Sequence, residues 1–444
     1  MRYTIKTLGC KVNQIDSAEL AGVLEDLGFV RAHEGEPAEV CVLNTCSVTG
    51  RTETECRQMI RRLIRENPGA RIVVTGCYAE TAPDVVGAEP GVDRVMSNSA
   101  KRRARSLLRK EFNLPKETAS PEDSFRPADC EVFPSVQPLL QGTGNRSRAF
   151  IRVQDGCEAF CSYCIVPLAR GPYRSEDPDR IIRQVEAFVR QGYPEIVLSG
   201  IHLGAYGVDR QERGGLSRLL ERLVRISGNF RIRLSSLEPM EVDEELIELL
   251  SAEEKICNSL HIPLQSGDDP ILERMKRPYT TAKFADLVLR LRQRDPTMAI
   301  GTDLIAGFPG ETERSFERTV HFLSDLPLTH FHVFPYSVRP GTEAASFEAQ
   351  VGPMVKKGRC RRLRELGKKK NRQFLQKMVG RSVKVVPIGR AGSADLSLRV
   401  LTGNYLPGRL VGSSNIVTGI FVVKVLDVSN DMLLVRQEEH NETA

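Results

Sequence analysis

Six short apolar runs between Arg148 and Phe374, each separated from the next by a stretch long enough for a helix, constrain the fold more than any other feature of the chain. They fall at Ala149–Val153, Glu195–Leu198, Arg231–Leu234, Ser259–Ile262, Met298–Ile305 and His330–Phe334, with helical patterns such as Ile181–Gln191 and Phe284–Arg292 between them. Strand–helix units repeated in this way predict parallel strands wound into a full or partial β/α barrel. Such barrels carry their chemistry at the C-terminal ends of the strands. Here those ends hold the unusual residues: Asp-Gly-Cys at 155–157, Ser-Gly-Ile-His at 199–202, Ser-Ser-Leu-Glu at 235–238, Pro-Leu-Gln-Ser-Gly at 263–267 and Ala-Gly-Phe-Pro-Gly-Glu at 306–311. Glycines and polar groups at these positions leave room for a bound cofactor.

Two further regions flank the barrel. Before it, Tyr3–Thr7, Val40–Asn44 and Arg71–Thr75 read as strands, each followed by a helix-like stretch such as Ser17–Leu27 or Thr52–Arg65, which predicts a parallel α/β sheet. Five prolines between Pro115 and Pro138 exclude a single helix or a central strand there and mark a linker. After the barrel, short β runs such as Ser382–Val386 and Ile420–Val425 alternate with Gly and Asn, the pattern of a small OB-like β-barrel. The expected domains are residues 1–112, a linker at 113–145, the barrel at 146–374 and the β module at 375–440.

The N-terminal stretch has no apolar signal core, and no apolar run reaches the roughly 18 residues that a membrane span needs. The expectation is a cytoplasmic protein with no membrane association. A reducing cytosol keeps thiols free, so the 11 cysteines are candidate metal ligands rather than a disulfide framework.

Cys157-Glu-Ala-Phe-Cys161-Ser-Tyr-Cys164 sets three thiols in one tight loop just past a strand. Three cysteines can hold three irons of a cubane cluster and leave the fourth iron open to a cosubstrate, whereas purely structural clusters normally use four. The competing reading is a zinc site, which more often uses paired C-x-x-C motifs or added histidines. A second set is dispersed: Cys10, Cys46 and Cys77 each follow one of the three N-terminal strands. In a parallel sheet those strand ends share one rim, where α/β folds bind ligands. Three buried structural thiols are the alternative. Cys41 lies in an apolar strand, Cys56 in a helical pattern and Cys130 in the linker, Cys257 and Cys360 have no metal-like neighbours, and His202 reads equally as a cavity residue or a hydrogen-bonded structural one.

The three-cysteine loop, with an aromatic before its last cysteine, resembles the radical S-adenosylmethionine (SAM) superfamily. Leu-Gly-Cys-Lys-Val-Asn-Gln, Asn-Thr-Cys, Gly-Cys, the three-cysteine loop and Gly-Phe-Pro-Gly-Glu-Thr, in that order, resemble its methylthiotransferase family over nearly the whole chain. The resemblance implies two 4Fe-4S clusters. Cys157, Cys161 and Cys164 would hold the one that cleaves S-adenosylmethionine to a 5′-deoxyadenosyl radical; Cys10, Cys46 and Cys77 would hold an auxiliary cluster that carries sulfur. A second S-adenosylmethionine would supply the methyl group, and an electron donor and a sulfur source are implied as partners. By the same resemblance Tyr163 lies near the adenine, Ser199 and Gly200 meet the methionine amino group, Glu238 meets the ribose, and Ile305 and Gly307 lie at the adenine contact.

The β tail resembles the RNA-binding TRAM module, with Asn404-Tyr405-Leu406 in its characteristic turn. Ten Lys and Arg between 356 and 372 face the single acid Glu365, and Lys101, Arg102, Arg103, Arg105, Arg109 and Lys110 form a second basic run. Either could neutralise RNA phosphates or simply be a solvated helix face. Within the family, Lys-Val-Asn-Gln after Cys10 and Phe-His-Val-Phe-Pro-Tyr-Ser look most like the enzymes that convert N6-threonylcarbamoyladenosine at position 37, next to the tRNA anticodon, to its 2-methylthio derivative. The alternatives are N6-isopentenyladenosine at the same place, a ribosomal-protein aspartate, or a non-catalytic iron–sulfur RNA-binding protein.

Overall fold

In the computed structural model, which describes residues 1–33, 35–114, 147–390, 397–412 and 418–438, the N-terminal strands form one parallel sheet. Its members are β1 (Arg2–Thr7), β2 (Val30–Arg31), β3 (Val40–Thr45), β4 (Arg71–Gly76) and β5 (Arg94–Met96), in the order 2-1-3-4-5. Successive side chains leave a strand on opposite faces, and β3 shows the consequence. Val40 and Val42 join a core with Tyr3, Leu24 and Leu108, while Cys41 and Leu43 join another with Ile60, Leu63 and Val74. Both faces are buried, as a parallel sheet covered by helices requires. The covering helices include Lys11–Asp26, Gly50–Glu66 and Ala104–Glu111; Thr49 caps the second through its side chain, which accepts from the Thr52 amide at 3.2 Å.

The barrel strands are β6 (Arg148–Arg152), β9 (Glu195–Ser199), β10 (Arg231–Leu234), β11 (Ser259–His261), β12 (Ala299–Ala306) and β13 (His330–Pro335), with β7 (Gln154–Asp155) and β8 (Arg174–Ser175) as a small hairpin after β6. All six pair in parallel, in two ladders, 10-9-6 and 11-12-13, bridged at Ile232 and Ile256. This is a partial barrel, as expected. Among the described residues no helix is long and apolar enough to cross a membrane.

The C-terminal strands β14 (Ser382–Arg390), β15 (Leu398–Thr402), β16 (Pro407–Leu410), β17 (Phe421–Ser429) and β18 (Met432–Gln437) close into a barrel in the order 14-15-16-18-17. Buried charge fastens it to the partial barrel. Glu195 is fully buried and receives Arg148, Arg231 and Arg233 at 2.6, 2.7 and 2.8 Å. Arg231 also donates to the Leu401 carbonyl and Arg233 to the Gly403 and Thr402 carbonyls, at 2.9–3.0 Å. The turn that resembles the TRAM module's characteristic one serves this junction. Asn404 is buried and donates to the Thr297 carbonyl, and the Arg233 guanidinium stacks 4.8 Å from the Tyr405 ring centre.

The chain thus divides into two compact units. One comprises Met1–Leu139 with Gly156–Pro172 and Ser337–Ala345; the other comprises Leu140–Asp155, Tyr173–Tyr336 and Ser346–Ala444. The proline-rich linker and Cys130 lie outside the described residues.

Candidate functional site

All six candidate ligand cysteines fall in the same compact unit. The register of the parallel sheet explains the first three. Thr7 pairs with Asn44 and Asn44 with Thr75, so β1, β3 and β4 end level with one another. Cys10 then caps the helix Lys11–Asp26, Cys46 directly follows β3, and Cys77 opens the short helix Cys77–Thr81. Glycines let these turns approach. A Cβ on Gly9 would sit 2.8 Å from the Cys46 Cβ, and one on Gly76 would sit 2.3 Å from the Thr45 carbonyl oxygen.

A buried polar network pins the rim. Asn13 donates to the Leu8 carbonyl at 2.7 Å and the Thr45 carbonyl at 2.9 Å, joining the turns that carry Cys10 and Cys46. Asn44 donates back to the Asn13 carbonyl at 2.8 Å. Beneath them Asp16, only 2% exposed, takes Lys101 at 2.7 Å and Arg170 at 3.0 Å, while Arg170 also donates to the Asn13 side chain. The sequence reading missed this network. Lys101, part of the basic run that reads as phosphate-binding or solvated, is buried and spent on Asp16 and Asn44.

Arg170 reaches Asn13 from the other cysteine loop. The segment Gly156–Pro172 leaves the partial barrel and packs into the N-terminal unit. Its two ends touch: a Cβ on Gly156 would lie 1.8 Å from the Pro172 carbonyl oxygen, and the Cys157 amide donates to the Gly171 carbonyl at 2.9 Å. Between them Phe160 adopts φ +44°, an unusual conformation for a bulky residue, and the chain folds back so that the Cys164 amide donates to the Cys161 carbonyl. Asn98, at the end of β5, donates to the Ala169 carbonyl at 2.7 Å. Tyr163 is half-buried between Ser162 and Cys164.

These residues fit iron–sulfur ligation on their donor chemistry. Burial pushes the Cys46 thiol up to about 12, with the nearby Cys77 and Cys10 sulfurs adding to the rise. Burial raises Cys10 too, opposed by the Arg170 charge. Metal binding must displace these protons, and a buried cation beside the site suits a ligand set of three thiolates. Cys41, Cys56, Cys257 and Cys360 are all buried, and the Cys56 thiol donates to the Cys46 carbonyl.

The strand-end candidates lie in the other unit. Ser199 ends β9 with its hydroxyl buried and, among the described residues, without a hydrogen-bond partner. A Cβ on Gly200 would meet the Gln154 side chain at 3.0 Å. Ile305 is half-buried near the end of β12. Gly307, at φ +75°, passes beneath Lys356, whose Cγ lies 2.4 Å from where a Cβ would be. Glu238 is paired with Arg277. His202 is a braced residue, its Nε2 2.5 Å from Glu241 and its Nδ1 3.3 Å from the Tyr173 hydroxyl. The basic helix Pro353–Met378 divides its charges: Arg359 is buried against Glu311 at 2.8 Å and Lys370 donates to the Leu326 carbonyl at 2.6 Å, but Lys357, Arg361, Lys368 and Lys369 are exposed.

Comparison with known proteins agrees with this architecture. Residues 151–323 match the radical SAM superfamily and residues 2–97 match uncharacterized protein family UPF0004. The radical SAM match assigns S-adenosylmethionine and an iron–sulfur cluster to the chain. The threonylcarbamoyladenosine tRNA methylthiotransferase MtaB of Bacillus subtilis is 36% identical over 95% of this chain and 92% of its own. Its counterpart in Aquifex aeolicus is 36% identical over 91% and 96%. A tRNA-2-methylthio-N(6)-dimethylallyladenosine synthase of Corynebacterium efficiens is 34% identical over 92% and 79%. Among solved structures, the radical S-adenosylmethionine methyltransferase TsrM from Kitasatospora setae shares the fold, with a TM-score of 0.56 at 17% identity over 78% of this chain and 77% of its own. With this identity across nearly its full length, the chain belongs to the radical S-adenosylmethionine methylthiotransferase family.

Proposed function

We propose that this protein is a tRNA methylthiotransferase that converts N6-threonylcarbamoyladenosine at position 37, beside the anticodon, to its 2-methylthio derivative. The observation that carries the reading is 36% identity with enzymes of that name across 95% of the chain. A second reading, N6-isopentenyladenosine, draws support from relatives named for the dimethylallyl substrate at 34% identity. A bound iron–sulfur cluster would supply the reducing electron that opens S-adenosylmethionine to radical chemistry, the kind that can act on a carbon no acid or base activates.

The chain's own residues have separable tasks in this reading. Cys157, Cys161 and Cys164 hold the radical-generating 4Fe-4S cluster; Cys10, Cys46 and Cys77 hold a second 4Fe-4S cluster that carries sulfur. Ser199, with its buried unpartnered hydroxyl, and Gly200 receive the amino-acid part of S-adenosylmethionine. Tyr163, Ile305 and Gly307 frame its adenine. Glu238 takes the ribose, which requires it to exchange or share its contact with Arg277. Exposed Lys357, Arg361, Lys368 and Lys369 meet tRNA phosphates. We place the protein in the cytoplasm with its tRNA, served by an electron donor and a sulfur source.

The test is an anaerobic assay of reconstituted protein with methyl-labelled S-adenosylmethionine and anticodon stem-loops bearing either N6 substituent. Label entering the threonylcarbamoyl RNA, and not the isopentenyl RNA, is expected. Label entering the isopentenyl RNA alone would move the protein to the second reading. Release of 5′-deoxyadenosine with label in neither RNA would leave radical chemistry but refute both substrates.

A further inference from the structure

The interior of the partial barrel carries a polar cluster that the cysteine sites and the S-adenosylmethionine candidates do not use. On β12, Asp303 and Ile305 are the half-buried positions, alternating with fully buried Thr302, Leu304 and Ala306. The register sets His330 beside Gly301, His332 beside Asp303 and Phe334 beside Ile305. On the other side of β12, His261 pairs with Gly301. Asp303 Oδ1 lies 2.8 Å from His261 Nε2 and 3.2 Å from His332 Nδ1, and the His261 and His332 rings stack at 4.8 Å. Gly301 makes this possible: a Cβ there would lie 2.1 Å from His330 and 2.8 Å from His261.

Two properties distinguish the cluster from ordinary packing. A β/α barrel interior is normally filled by layers of branched apolar side chains, whereas this layer is three histidines and an aspartate on adjacent strands. It is also open: the His332 side chain is 57% exposed and Phe334, one layer toward the strand ends, is 45% exposed. A layer that is polar and unfilled is built to receive a ligand with polar groups.

The hydrogen bonding fixes what it presents. The two imidazoles hold the Asp303 carboxyl well below the usual range despite its burial, so it is ionised and accepts from His332 Nδ1. A carboxylate oxygen only accepts, so the neutral His332 imidazole carries its proton on Nδ1 and presents Nε2, without a partner among the described residues, as an acceptor. The threonylcarbamoyl group carries a hydroxyl and a carbamoyl N–H that could donate to such an acceptor. The isopentenyl chain has no donor.

We propose that His332, braced by Asp303 and His261, accepts a hydrogen bond from the N6 substituent of the target adenosine and thereby selects the threonylcarbamoyl nucleoside over the isopentenyl one. The inference rests on the proposed function. Its physical basis is that a site which hydrogen-bonds its substrate rejects an analogue lacking the group far more strongly than an apolar pocket rejects an extra one.

The test compares kcat/KM on threonylcarbamoyl and isopentenyl stem-loops for wild type, His332→Phe and His332→Gln, with iron content and visible spectrum recorded for each protein. His332→Phe should lower kcat/KM for the threonylcarbamoyl RNA by about 10- to 100-fold, leave the isopentenyl value unchanged or raised, and lose the preference. His332→Gln, which keeps an acceptor, should recover part of it. Equal losses on both RNAs, or no loss on either, at normal iron content would overturn the inference while leaving the proposed function standing. Wild type preferring the isopentenyl RNA would overturn both. A stoichiometric non-cluster metal, present in wild type and absent from His332→Phe, would overturn it in favour of a His–Asp–His metal site.

Discussion

Asp16→Asn tests the polar network beneath the cysteine rim more severely than the loss of either cation. The substitution keeps the shape but removes the carboxylate charge that Lys101 and Arg170 share, 2.7 and 3.0 Å from it with side chains 7% and 2% exposed. The two cations would then lose that shared partner. Removing one partner of a buried ion pair costs about 3–5 kcal/mol, because the remaining charge is left uncompensated. Lys101→Met or Arg170→Met alone leaves Asp16 with one cation and should cost less, about 1–3 kcal/mol. Thermal unfolding of reconstituted protein reads the difference: about 2–4 °C per kcal/mol for a unit of this size gives a fall of roughly 6–20 °C for Asp16→Asn. The informative variant is the double one. Adding Lys101→Met to Asp16→Asn removes one of the stranded cations and should recover several degrees, a coupling of the kind seen only between touching groups. Refutation would be an Asp16→Asn loss smaller than that of Lys101→Met, or simple additivity in the double variant.

Four further outcomes are expected. Cys161→Ala should abolish reductive cleavage of S-adenosylmethionine, whereas Cys46→Ala should keep some cleavage and lose methylthiolation; equal loss of both activities in the second variant, with the radical cluster intact by electron paramagnetic resonance, would contradict that division. Glu195→Gln should destabilise the junction of the two barrels by about 3–5 kcal/mol. Burial opposes ionisation of Glu195, but the surrounding arginines hold its carboxyl well below the ordinary range; its stabilising contribution is therefore complete above about pH 4.3 and lost only as the pH falls through the much lower folded value, so the gap between wild type and variant in melting temperature should be constant from neutral pH down to about 5. Because burial pushes the Cys46 thiol up to about 12, iron loading of the cluster-free protein should release protons and strengthen with rising pH, which iron titrations between about pH 6.5 and 8.5 would show. Gly76→Ala and Gly69→Ala both place alanine at positive φ, but only the first drives a Cβ to 2.3 Å from backbone, the Thr45 carbonyl; it alone should impair assembly at Cys77, read as iron bound per chain.

The regular parts of this fold were legible because their patterns are local. Apolar runs located β1, β3 and β4 of the N-terminal sheet and all six barrel strands to within a residue or two, while the short β2 and β5 carried too few residues to stand out. The misses share a cause. Lys101, Asp16 and Arg170 are far apart in sequence, and nothing local distinguishes a lysine spent on a buried carboxylate from its exposed neighbours. For the same reason nothing in the Asn404–Tyr405 turn itself announces that it packs against Arg233 and Thr297. His261, Asp303 and His332 fell inside runs already assigned as strands. Each lies on a different strand, so their meeting depended on strand order.

The central claim is most directly tested by mass spectrometry of nucleosides from bulk tRNA of cells with and without this protein. The account predicts loss of 2-methylthio-N6-threonylcarbamoyladenosine with accumulation of N6-threonylcarbamoyladenosine, and restoration by wild type but not by Cys161→Ala. Unchanged 2-methylthio-N6-threonylcarbamoyladenosine in cells with no second such enzyme would contradict it, and loss of the isopentenyl counterpart instead would assign the protein to the neighbouring substrate.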